Sequence, residues 1–232
     1  MNIAVLNYSG NVGKTTVARH LLQPRLSLEL IAVETINADE TEAATAIRGK
    51  QFAQLQEYML TADGLIVDVG ASNVEEFLLL MQQYQGSHSD FDYFIVPTVP
   101  ALKQQKDTVA TLAELERIGV DRDRVRLVFN QAEQGTPLEE AYAMVWAYCS
   151  EHAPEHLERR PHILSNELYG RIRQSDTSIK SLAEDPTDYK KLIAKAGDQA
   201  EKVRLAQALA TQRLAAGVWP KLNDCFDQLQ IQ

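Results

Sequence analysis

The segment that most constrains how this chain folds is its first. An apolar run, Asn2 to Asn7, leads directly into Tyr8-Ser9-Gly10-Asn11-Val12-Gly13-Lys14-Thr15-Thr16, and helix-spaced residues continue to Leu22. A run of that length and composition forms a buried strand, and the spacing from Thr15 onward is that of a helix packed on a sheet. Gly10 and Gly13 in the turn allow conformations and close approaches that a side chain blocks, so the amides from Gly10 through Asn11, Val12 and Gly13 to Thr16 can converge on an anion. The helix opening at Lys14 adds its own unsatisfied N–H groups and positive dipole end. In this pattern Lys14 reaches β- and γ-phosphates, and the Thr15 hydroxyl ligates Mg²⁺. Tyr8 stands where the consensus G-x-x-x-x-G-K-[ST] has its first glycine. The competing reading is an ordinary strand-to-helix turn whose lysine is solvated.

A chain of 232 residues with 45% hydrophobic residues is large enough to bury a core and argues against disorder, so one α/β domain spanning 1–232 is expected. No apolar run approaches the ~18 residues that cross a bilayer, and no signal-type segment opens the sequence, which points to a cytoplasmic protein. Cys149 and Cys225 lack metal-site spacing and read as reduced structural thiols. The net charge of -9 argues against nucleic acid coating the whole surface. Locally the balance reverses: Lys190, Lys191, Lys195, Lys202, Arg204, Arg213 and Lys221 outnumber Asp198 and Glu201. Over 190–221 a solvated helix face and a DNA- or partner-contacting surface both fit.

Further short apolar runs, Leu28 to Val33, Leu65 to Val69, Tyr93 to Val96, Val125 to Phe129 and Pro161 to Leu164, alternate with helical stretches near 41–60, 73–84, 101–118 and 137–152. This βα alternation predicts a mostly parallel P-loop NTPase sheet flanked by helices on both faces, with ligands beyond the carboxyl ends of the strands. From about 185 to 232 the signal is helical without strands. A long helix broken near Gly217 and Pro220 is expected there.

Two other strand ends carry matching chemistry. Leu65-Ile66-Val67-Asp68-Val69-Gly70 delivers a carboxylate and a glycine to the ligand edge of the sheet. Asp68 would hold Mg²⁺ through a coordinated water and Gly70 would offer its N–H to the γ-phosphate, the alternative being that Asp68 caps the helix beginning near Asn73. In Glu34-Thr35-Ile36-Asn37-Ala38-Asp39-Glu40, Asp39 is the first choice and Glu34 the second for orienting an attacking water; a solvated, capped loop is the alternative. The candidate catalytic set is Lys14, Asp39 and Asp68, with Thr15 and Asp68 for the metal.

Residues Ser9 to Thr16 resemble the pattern K-G-G-x-G-K-[ST]-[ST] of the ParA/MinD family of deviant Walker ATPases. The likeness extends through Asp68-Val69-Gly70 and Asp92-Tyr93-Phe94-Ile95-Val96-Pro97-Thr98 to Asn130, and is nearest to StbB-type plasmid stability proteins. It implies that Asn130, at the end of Val125-Arg126-Leu127-Val128-Phe129-Asn130, hydrogen-bonds the adenine edge. An asparagine ending a strand in a turn is the plain alternative. Asn130-Gln131-Ala132-Glu133 echoes the guanine motif N-K-x-D only faintly, since Gln131 replaces its lysine and Glu133 is longer than aspartate, so ATP is favoured over GTP. The resemblance further implies ATP with Mg²⁺ as cofactors, a nucleotide-dependent homodimer, a small DNA-binding partner protein and a role in plasmid stability or partition linked to conjugation.

The family's lysine near the start of the loop reaches the other subunit's phosphates, and here Ser9 stands in that position. A hydroxyl cannot offset phosphate charge, so slow or absent hydrolysis is expected. Asn11 replaces a glycine but tolerates a left-handed backbone. Arg171, Arg173, Lys103 and Lys106 are the cations weighed as replacements. Three function classes follow: a partition-type ATPase switch, a nucleotide-responsive regulator without turnover, and a metabolic phosphotransferase or ligase. The histidines His20, His88, His152, His156 and His162 form no acid–base constellation that would favour the third. The tail from Leu222 to Gln232 carries Asp224 and Asp227 but no lysine or arginine, which argues against membrane attachment.

Overall fold

The computed structural model describes residues 1–33, 52–173, 175 and 177–231. Six strands, β1 (Asn2–Val5), β2 (Glu29–Val33), β3 (Leu65–Val69), β4 (Tyr93–Thr98), β5 (Val125–Ala132) and β6 (His162–Leu164), form one sheet in the order β2-β3-β1-β4-β5-β6. Every neighbouring pair is parallel. Parallel strands require crossovers, and the helices that make them cover both faces, so side chains of either parity are buried. Ala4, Leu6, Val67, Phe94, Val96, Leu127 and Phe129 join one apolar cluster, while Ile3, Val5, Ile66, Ile95 and Val128, on the opposite face, are buried as well.

The first crossover begins with α1 (Lys14–Thr16), continues as the π-helical stretch Val17–Leu22 and ends in α2 (Gln23–Leu26). Pro24 explains part of this widened turn, because proline has no N–H for the carbonyl four residues back and its ring crowds that carbonyl. Arg25 supplies donors instead: its Nη1 donates to the His20 and Leu21 carbonyls at 3.0 and 2.8 Å. Sequence spacing alone gave no sign of the π-helical geometry.

Helices α3 (Phe52–Thr61), α4 (Val74–Gln83), α5 (Leu102–Arg117), α6 (Leu138–Ala141) and α7 (Ala143–His152) follow between the later strands. The expected helix at 137–152 is thus two helices, interrupted at Tyr142, whose φ of -118° is outside the helical range. Phe52, Phe77, Leu112 and Val145 bring α3, α4, α5 and α7 into the apolar cluster. A chain of aromatic contacts links it, with ring centroids 5.4 Å apart for Phe52 and Phe77, 6.0 Å for Phe77 and Phe91, and 5.4 Å for Phe91 and Phe94.

By contacts the chain divides into two compact units, Met1–Ser165 with Cys225–Gln232, and Asn166–Asp224. The first holds the sheet. The second is built from α8 (Glu167–Ile172), α9 (Ile179–Ala183), α10 (Tyr189–Lys195) and most of α11 (Gln199–Leu229). Its helices start on side-chain caps: Asn166 accepts from the Leu168 N–H, Ser178 from Ser181 and Asp188 from Lys191. Contrary to the expected break, α11 runs continuously through Gly217 and Pro220. Ala215, Val218, Leu222, Cys225 and Leu229 are buried at helical spacing on both sides of the proline, and burying that stripe outweighs the roughly 3 kcal/mol that an internal proline costs. No helix among the described residues is long and apolar enough to cross a membrane.

The sheet order positions the ligand edge. β1 lies between β3 and β4, so the strand order reverses direction at β1, and the loop leaving β1 opens into the crevice where such sheets take ligands. Phe91→Ala is expected to lower stability by about 3–5 kcal/mol in urea unfolding, because the ring is fully buried among aromatic neighbours. Leu79→Ala, on an exposed face of α4, should change it by less than about 0.5 kcal/mol.

Candidate functional site

The loop after β1 is fixed from below by α5. Asn7 is wholly buried; its Nδ2 donates to the Pro97 carbonyl at 2.9 Å and to Thr108 Oγ1 at 2.8 Å, while its Oδ1 accepts the Ser9 N–H at 2.7 Å. The Tyr8 N–H donates to Thr111 Oγ1 at 3.1 Å. Tyr8 therefore replaces a glycine without backbone strain: its φ is not positive, and its ring packs on the apolar cluster. Two loop residues do take left-handed conformations, Asn11 at φ 59° and Gly13 at φ 88°.

From Gly10 to Thr16 no backbone N–H has an acceptor among the described residues. A concave run of unpaired amides at a helix start is a cradle for phosphate oxygens. Lys14 completes it. Its ammonium is buried and donates to the Asn7 carbonyl at 3.2 Å and the Ser9 carbonyl at 2.8 Å. Burial pushes the Lys14 pKa down from 10.5 to about 8, with the Asp68 carboxylate acting in the opposite direction. An ammonium kept in a place that disfavours its charge is poised to gain from an anion.

Parallel register brings the metal candidates together. Val5 pairs with Asp68, so the last residue of β1 lies beside the carboxylate at the end of β3. Thr15 Oγ1 donates to Asp68 Oδ2 at 2.6 Å. A hydroxyl and a carboxylate next to a phosphate cradle are the hard oxygen donors that Mg²⁺ takes, with phosphates and waters completing its shell. These residues fit a Mg²⁺–nucleotide: Thr15 would ligate the ion directly and Asp68 would hold it through water.

The remaining predicted residues are placed differently. The Gly70 N–H, expected to face a γ-phosphate, donates to the Val33 carbonyl at 2.8 Å in this structure. Asn130 lies at the carboxyl end of β5 and is buried; its Nδ2 donates to the Val12 carbonyl at 2.8 Å, bringing it onto the phosphate loop. Asp39 and Glu34 lie outside the described residues. Lys103 is exposed on α5, as is Lys106, and Arg171 pairs with Glu167 at 3.5 Å within the second unit. Ser9 is 4% exposed, held in the floor of the loop with its carbonyl on Lys14.

Sequence reading missed Asn7, Thr108 and Thr111. A signal for the threonines existed: Gln105, Thr108 and Thr111 recur at three-residue spacing on the same buried side of α5 as Leu112 and Leu115, where apolar residues are the rule. Gln105 spans the next junction, donating from Nε2 to the Pro100 and Ala141 carbonyls and accepting the Met144 N–H at Oε1.

No family model matches the chain, and no curated protein matches it in sequence. Solved structures do share its fold. Apo McdA of Cyanothece aligns over 90% of this chain and 98% of its own, at 15% identity and a TM-score of 0.54. MinD of Aquifex aeolicus aligns over 93% and 97%, at 11% identity and 0.52. MinD of Pyrococcus horikoshii, complexed with Mg-ADP, aligns over 94% and 95%, at 13% identity and 0.50. The six-stranded parallel sheet with flanking helices is thus the MinD-like P-loop α/β fold.

Gly13→Ala is expected to abolish phosphate binding and to destabilise the fold by at least about 2 kcal/mol, since a Cβ there would come within 2.0 Å of Asn130 Nδ2 at a left-handed φ. Calorimetric titration with thermal unfolding checks both effects. A second expectation concerns pH. Phosphate favours charged Lys14, whereas free Lys14 loses its proton as pH rises through about 8, so affinity should fall above that pH and binding should take up a proton. Titration at pH 8.5–9.5 in two buffers of different ionisation enthalpy measures the uptake; none is expected at pH 7.

Proposed function

We propose that this chain is a nucleotide-dependent switch of the ParA/MinD type, which takes ATP with Mg²⁺ at the loop Gly10–Thr16. The observation carrying the proposal is the arrangement around Lys14: among the described residues, a buried ammonium bonded only to carbonyls, unpaired amides beside it, and Thr15 against Asp68. Lys14, now on the Asn7 and Ser9 carbonyls, would hold phosphate oxygens together with the loop amides, and Thr15 and Asp68 would hold the metal. Bound Mg²⁺ supplies charge neutralisation of the phosphates. The Mg-ADP complex of the Pyrococcus MinD, which shares this fold, supports the assignment.

Asp39 is the residue we assign to the attacking water, and Asn130, near the carboxyl end of β5, is the candidate that the likeness alone gives for the adenine edge. Hydrolysis should be slow. The family's trans-acting lysine is replaced by a buried serine, and a hydroxyl in the loop floor cannot reach a second subunit's phosphates. This supports a regulator that responds to bound ATP more than to turnover. By likeness, its setting is cytoplasmic plasmid maintenance linked to conjugation, as a nucleotide-dependent homodimer with a small DNA-binding partner. Exposed Lys190, Lys191, Lys195, Lys202, Arg204, Arg213 and Lys221 on α10 and α11 are available for direct DNA contact.

Calorimetry, turnover assays and light scattering test the proposal together. Lys14→Ala should weaken ATP binding by about 100-fold or more, equivalent to about 2.7 kcal/mol. Wild-type turnover is expected on the order of 10⁻³ s⁻¹ or slower, the range of P-loop proteins lacking a charge-stabilising cation. Dimers should form with ATP and not with ADP. Fast monomeric turnover stimulated by a small metabolite would overturn the switch reading, and preferential displacement of labelled ATP by GTP would reverse the choice of base.

A further inference from the structure

Asn130 is held at every polar atom that the structure shows in use. Its Oδ1 accepts the Gln131 N–H at 2.9 Å, its Nδ2 donates to the Val12 carbonyl at 2.8 Å, and its own carbonyl accepts from Tyr142 Oη at 2.7 Å. Tyr142 is fully buried, with its ring edge-on to Phe129 at 4.9 Å. The pairing of β5 with β6 shifts between Asn130 and Ala132, and Gln131 takes φ 60° at that irregularity. A non-glycine residue in this conformation carries strain, and the Asn130 side chain closes the strained turn.

The bond to Val12 has a directional consequence. In a planar trans peptide the C=O and the following N–H point in opposite directions. Fixing the Val12 carbonyl on Asn130 therefore aims the Gly13 N–H away from β5. That N–H is one of the loop amides with no acceptor among the described residues. The amide also occupies the space that a Cβ at position 13 would need, so the left-handed glycine and the asparagine form one fitted unit.

We propose that Asn130 is a positioning residue for the phosphate loop, acting through the Val12 carbonyl to aim the Gly13 amide at the phosphates, and that this role is independent of the base. It rests on the nucleotide-binding reading above and gives Asn130 a different part from reading adenine. Half of the amide's hydrogen-bonding capacity is spent inside the protein, and both spent bonds lock the loop. Tyr142 extends the brace into the helical layer, so packing between β5 and α7 bears on how the phosphates are held.

A ligand without a base separates the two roles. Inorganic tripolyphosphate and ATP, each with Mg²⁺, are titrated into wild type, Asn130→Ala and Tyr142→Phe, with thermal unfolding as a folding control. A positioning residue predicts that Asn130→Ala weakens both ligands by the same factor, about tenfold, leaving their affinity ratio unchanged. Tyr142→Phe, which removes one hydroxyl that donates to the Asn130 carbonyl, should weaken both by about threefold. Loss of ATP binding with tripolyphosphate binding intact would assign Asn130 to the base and overturn the proposal, as would no change for either ligand. If Asn130→Ala does not fold, Tyr142→Phe decides by the same comparison. A wild-type chain that takes up ATP but not tripolyphosphate contradicts the proposal alone, whereas one that takes up neither contradicts the nucleotide reading.

Discussion

A lysine ammonium inside a loop, bonded to two carbonyls of that loop, is the interaction on which the site depends. Burial disfavours its charge and, among the described residues, no carboxylate is hydrogen-bonded to it, so the loop favours an anion. Everything around Lys14 holds that arrangement in place. Asn7, Thr108 and Thr111 tie the front of the loop to α5, and Asn130 ties its rear to β5. The loop is thus held between α5, the helix that follows the neighbouring strand β4, and β5, the strand beyond it. It needs no glycine at position 8, because those bonds fix the backbone there in an ordinary conformation.

The sheet and its order follow from simple rules once the strands are identified, which is why the first and third strands and the helix at Lys14 were legible from residue types and spacing. The meeting of Asp68 with Thr15 was foreshadowed in the same way, since parallel register sets the end of β3 beside the end of β1. What escaped was geometry that depends on distant partners. Asn7 reads as an ordinary strand-terminal asparagine until Pro97 and Thr108 are seen against it, 90 and 101 residues away in sequence. The π-helical turn reflects Pro24 acting on a carbonyl four residues earlier, together with an arginine whose reach no periodicity encodes. The uninterrupted α11 shows tertiary burial overriding a local helix breaker.

The departures within the loop now have separate explanations. Tyr8 is a packing residue, Asn11 meets a left-handed conformation that asparagine tolerates, and Ser9 is buried in the loop floor. The first two preserve the cradle. The third puts an uncharged, buried side chain at that position. An amide cradle with no charged side chain at position 9 is the combination on which the switch proposal rests, in which the bound state is the useful event.

Backbone hydrogen exchange read peptide by peptide, with and without Mg²⁺–ATP, tests the central claim most directly, because it reports which amides the ligand occupies. Protection concentrated in residues 10–16, absent in Lys14→Ala, is the result that the proposed nucleotide site predicts. Protection confined to other segments, or none in the loop at saturating ATP, would contradict it.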